Sequence, residues 1–125
     1  MSAISTAERG YLSSVSTTRS EKRAEYEVIS RITHRLRDAA RQSKKDYPSY
    51  IACLNENRKL WQVMALNVTE DENRLPNELK ASIFYLYQFT EAHTKKILSN
   101  NVSVMPLLEV NMAVMRGLKS EGAQK

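Results

Sequence analysis

The chain has 125 residues, 42% apolar and 26% charged, with a formal net charge of +5, the make-up of one ordinary globular domain around a single core. No apolar run approaches the ~18 residues of a membrane span, and residues 1–20 lack the apolar stretch of a secretory signal, so a cytoplasmic protein without membrane insertion is expected. The single cysteine, Cys53, excludes an internal disulfide and suits a reducing compartment.

The charge is uneven: residues 1–46 carry ten Lys/Arg against six Asp/Glu, whereas residues 47–76 are net −1 and residues 77–125 net +2. Residues 1–17 show no sustained helical period and read as a flexible N-terminal segment. Thr18 followed by Glu21 forms a capping-box pair, which predicts a helix start there. At about 100° per residue, Val28, Ile29, Ile32, Leu36, Ala39 and Ala40 share one arc, and Arg31, Arg35, Arg37, Arg41, Lys44 and Lys45 fill the rest. This first helix should end before Pro48, since the residue ahead of a proline avoids the α region.

Pro48 suits the first turn of a second helix, with Tyr50, Leu54, Trp61, Met64, Ala65 and Val68 on its apolar face and Ile51 and Leu60 at the edges. The stretch Glu70-Asp71-Glu72-Asn73 breaks the pattern as a loop, and Pro76 opens a third helix. Leu79, Ile83, Leu86, Thr90 and Ile97 are expected to form its core stripe. Phe84 and Tyr85 point elsewhere, so the helix is apolar nearly all round, which makes it either central to the fold or covered by a partner. Asn100-Asn101 ends it. A fourth helix from about Ser103 buries Val104, Leu107, Leu108, Val114, Met115 and Leu118, with Gly117 near its end. The expected organisation is an all-α bundle of four helices over residues 18–119, with residues 120–125 a frayed tail.

Three patches resemble one family. They are Asn57-Arg58-Lys59-Leu60-Trp61; then Asn73-Arg74-Leu75-Pro76 with Leu79, Lys80 and Ala81; then Leu108, Asn111, Met115, Gly117 and Leu118. In this order and at these spacings they resemble the flagellar protein FlaF family over roughly residues 20–118. The resemblance implies a bacterial flagellum biogenesis factor, a cytoplasmic partner of flagellin linked to its synthesis and export in the manner of a secretion chaperone. It acts beside FlbT, a regulator of flagellin mRNA. Flagellin is thus the expected partner, with FlbT a possible second one, and the amphipathic terminal helices of unassembled flagellin are the segments such a protein would shield.

Read physically, Asn57 and Asn111 each fall in the middle of an apolar arc. A buried amide without partners costs a few kcal/mol, so both should be hydrogen-bonded, holding helix register or contacting a partner. Trp61 reads as core with its indole N–H reaching a backbone carbonyl, a binding anchor being the competing reading. Leu75-Pro76 reads as a loop plug and a helix-starting proline.

For catalysis the pattern offers little. His34 and His93 stand in no H-E-x-x-H arrangement, no Cys/His cluster could hold zinc, and there is no glycine-rich phosphate loop or nucleophile elbow. Neither an enzyme nor a cofactor nor a metal is expected. RNA contact through Arg31, Arg35 and Arg41 is the rival reading. Glu27, Asp38 and Asp46 interrupt that basic field, and stacking aromatics are scarce beside it. A protein-binding surface is favoured by apolar residues left over from the core: Val63 and Leu66 on the second helix, Phe84 and Tyr85 on the third, Met105 and Met112 on the fourth. They would form either a partner groove or surface covered within the bundle or by weak dimerisation of an otherwise monomeric protein.

Overall fold

The computed structural model describes residues 19–73 and 75–123. The flexible segment expected over 1–17, the Thr18 cap, Arg74 and residues 124–125 lie outside the described residues. Four helices and no strand occur among the described residues: α1 (Arg19–Arg41), α2 (Tyr47–Val68), α3 (Asn77–Asn100) and α4 (Met105–Ala123).

The helix boundaries follow from local chemistry. Asp46 caps α2, its carboxylate accepting from the Ser49 amide at 3.2 Å and the Ser49 hydroxyl at 2.6 Å. Those two bonds hold the Asp46 carboxyl below its ordinary range. Pro48 occupies the first turn of α2, where its missing N–H costs nothing. The loop after α2 is pinned by Asn73. Its amide donates to the Asn67 carbonyl at 3.1 Å and accepts from the Leu75 N–H at 3.0 Å, which seats Leu75 in the core. Pro76 stands just ahead of α3 at the N-cap position. At the other end Asn101 takes the left-handed conformation, φ 54°, and its N–H closes on the Ile97 carbonyl. The last helix starts two residues later than expected, at Met105, whose N–H bonds to the Ser103 hydroxyl at 3.0 Å.

α1 packs against α4 and α2, and α2 packs against α3, whereas α3 and α4 scarcely approach one another. Two clusters fill the interior. One joins Leu36, Tyr50, Leu54, Ile97, Leu107 and Leu108. The other gathers Ile29, Ile32, Leu60, Trp61, Met64, Val68, Leu75, Met115 and Leu118. The arcs expected for α1 and α2 are the ones buried, except that Ala39, Ala40 and Ile51 are half-buried. The stripe on α3 is different. Only Thr90, Thr94 and Ile97 are buried there, Ile83 and Leu86 are half-buried, and Leu79, expected in the core, is 42% exposed. The reason is geometric: α4 leans on α1 and scarcely touches α3, so Leu79, Ile83 and Leu86 face α4 across an open groove.

Candidate functional site

The incomplete α3–α4 contact leaves an apolar groove of about 250 Å³. Leu79, Ser82, Ile83 and Leu86 of α3 form one wall; Ala113, Val114, Gly117 and Leu118 of α4 form the other. Ile29, Trp61, Met64 and Leu75 lie beneath, with Glu25. A row of half-buried and exposed apolar side chains facing an empty channel matches the way helices dock into grooves.

α3 is held in this position from the α2 side. Arg58 donates to one Glu91 oxygen through Nη2 at 2.9 Å and Nε at 3.2 Å, and Gln62 donates to the other at 3.0 Å. Burial alone would raise the Glu91 carboxyl; the bonds from Arg58 and Gln62 bring it below its ordinary range instead.

Beneath the groove a buried polar network ties three helices. Asn111 Oδ1 of α4 accepts from the Trp61 indole N–H of α2 at 2.9 Å. Asn111 Nδ2 donates to Asn57 Oδ1 of α2 at 2.8 Å and to Thr33 Oγ1 of α1 at 3.0 Å, and the Thr33 hydroxyl in turn donates to the Ile29 carbonyl at 2.7 Å. Both asparagines are fully buried. The indole therefore finds a side-chain amide where the sequence suggested a backbone carbonyl, because α4 brings Asn111 directly across from it.

Gly117 borders the groove. A Cβ built there would meet nothing within 4 Å, and its φ is negative. Nothing in the fold requires a glycine at this point of α4. Gly117→Ala should therefore stabilise the protein by about 0.5–1 kcal/mol through helix propensity alone, read as a raised midpoint in chemical denaturation.

Glu25 escaped the sequence reading. Only 1% exposed, it lines the groove, and among the described residues neither carboxylate oxygen has a hydrogen-bond partner. Burial pushes its carboxyl up to about 7. Its spacing, three residues before Val28 and four before Ile29, placed it on the apolar arc of α1 from the start.

The candidate partner residues fall on other faces. Met105 and Met112 line a second groove, of about 350 Å³, with His34, Arg37 and Arg41 of α1. Tyr85 is 65% and Leu66 63% exposed, Phe84 is exposed and in ring contact with Tyr87, and Val63 is half-buried. None of the six borders the α3–α4 groove. Of the candidate structural residues, Trp61, Leu75 and Gly117 border it, while Asn57 and Asn111 hold the helices beneath and Pro76 starts the wall. In the basic set, Arg31 and Arg41 are exposed, and Arg35 is engaged by Glu56 of α2. No group of three His, Cys, Asp or Glu among the described residues could hold a metal ion, and no described helix is long and apolar enough to cross a membrane.

A family model described as flagellar protein FlaF matches residues 7–118. No curated protein and no solved structure matches the chain.

Proposed function

The chain belongs to the flagellar protein FlaF family, and on that premise we propose that this flagellar protein binds unassembled flagellin and supports its synthesis or export without catalysing a reaction. The observation that carries this reading is the open seam between α3 and α4. An amphipathic flagellin helix laid there would supply the missing wall and hide its own apolar face from other flagellin chains. The groove, not Phe84 or Met112, is the contact surface in this reading.

Titration calorimetry of purified flagellin tests it. Gly117→Trp would place an indole in the channel where the native helix has only hydrogen, and it should abolish measurable binding while the fold persists. Phe84→Ala and Met112→Ala should change affinity by less than about threefold, under 1 kcal/mol. Undiminished binding by Gly117→Trp would remove the seam from consideration.

The competing reading is post-transcriptional control beside FlbT, with the α1 basic face on flagellin mRNA. The engagement of Arg35 by Glu56 and the acidic neighbour Asp38 beside Arg37 weigh against it. Reversing the charges of Arg31, Arg35 and Arg41 should leave flagellin affinity within about twofold. A tight flagellin-leader RNA shift, steeply salt-dependent and lost in that variant, would favour the rival.

A further inference from the structure

We propose that the α3–α4 groove selects a helix carrying a lysine or arginine within its apolar stripe, the cation pairing with the Glu25 carboxylate. The inference rests on the flagellin reading above and specifies which segment of that partner is taken.

The groove is otherwise made of apolar side chains and Ser82, and among the described residues Glu25 is the sole charged one lining it. A carboxylate that is 1% exposed and without a hydrogen-bond partner among the described residues is an uncompensated feature of the empty protein. Packing alone would be served as well by leucine or methionine at this point of the α1 arc. Because the carboxyl is already out of water and gives up its proton at little cost near neutral pH, a cation entering the groove adds mainly its own desolvation and gains a charge-assisted hydrogen bond in a low-dielectric site. A neutral donor would leave the second oxygen unmatched, whereas a guanidinium reaches both.

The walls set the size of the occupant. From Leu79 to Leu86 is seven residues, about 10 Å of helix or two turns. Such a channel takes three or four side chains at i, i+3 or i+4, and i+7. Gly117, with open space where a side chain would stand, lets the incoming backbone approach α4 closely. A plain apolar helix would satisfy the walls and leave Glu25 stranded. A helix with one cation among its apolar positions satisfies both, and that charge distinguishes the wanted segment from other amphipathic helices.

The test uses intact flagellin and then twenty-residue peptides tiling it, titrated against the parent, Glu25→Gln and Gly117→Trp. In the bound peptide each lysine is replaced in turn by norleucine and each arginine by citrulline. One such replacement should weaken binding to the parent at least about tenfold, or 1.4 kcal/mol, and weaken binding to Glu25→Gln less than about twofold. The emission of Trp61, the sole tryptophan and part of the groove, should shift in step with occupancy. Flagellin binding that Gly117→Trp blocks, with no cation coupled to Glu25, overturns this inference and leaves the flagellin reading standing. Absence of flagellin binding to the parent overturns that reading and this inference with it. A dimer of the free protein that Gly117→Trp turns into monomer would mean that a second copy fills the seam, and would overturn both.

Discussion

Asn111→Leu should lower the melting temperature more than any other single polar substitution in this protein. Asn111 sits fully buried at the crossing of three helices, with Trp61, Asn57 and Thr33 all bonded to its side chain. Leucine would fill the space and remove all three bonds at once. It would leave the Trp61 N–H and the Asn57 carbonyl oxygen in the interior without their partner. Each stranded group costs on the order of 1–3 kcal/mol, so a loss of about 3–5 kcal/mol is expected. For a domain of this size that is roughly 10–20 °C in Tm, read by circular dichroism. Asn57→Leu should cost less, because Asn57 Nδ2 has no partner among the described residues, and only one of its bonds is lost. A double-mutant cycle of Asn111→Leu with Trp61→Phe should show strong coupling. Equal melting of Asn111→Leu and the parent would mean the network carries no stability.

Glu25→Gln should make the protein more stable above neutral pH and change little in mild acid. In the folded chain the carboxyl titrates at about 7 against an ordinary 4.5, with burial as the cause. The native state therefore holds this proton more tightly than the unfolded chain does. The contribution of Glu25 to stability is fully present below about pH 4.5, declines between there and about pH 7, and is lost above. At 1.36 kcal/mol per pH unit the decline amounts to about 3 kcal/mol. Asp46 and Glu91 have lowered values and act in the opposite sense, losing stability in acid. The difference between parent and variant isolates Glu25, since both terms are common to the two proteins. Urea denaturation from pH 5 to pH 8 should show the advantage of Glu25→Gln growing up to about pH 7 and levelling off above it. A difference that does not change with pH would mean the carboxyl titrates normally.

Helical period alone placed Val28, Ile29, Ile32 and Leu36 on one face of α1, and Tyr50, Leu54, Trp61 and Met64 on one face of α2. The structure buries all of them. These faces were legible because α1 and α2 are flanked on both sides, so an apolar arc has somewhere to go. Leu79 was misplaced for the complementary reason. Period assigns a residue to a direction and says nothing about how closely a helix stands in that direction; here α4 stands across an open groove and leaves Leu79 uncovered. The near-continuous apolar character of α3 did carry information, since it left open a helix covered by a partner. Glu25 was hidden by its own chemistry, because a charged residue in an apolar arc is read past when counting hydrophobic positions. The two asparagines were placed correctly in the interior by the same counting. Their bonding to Trp61 and Thr33 depends on how α4 crosses α1 and α2, a property of the assembled bundle.

The claim that flagellin occupies the seam is tested most directly by photo-crosslinking in motile cells. Ser82 is exposed and lines the α3 wall, whereas Met112 borders the other groove. With benzoylphenylalanine at Ser82, ultraviolet light should give an adduct containing this protein and flagellin, and the same group at Met112 should give none. Flagellin captured from Met112 and not from Ser82 would contradict the account and move the binding face to the α1–α4 side.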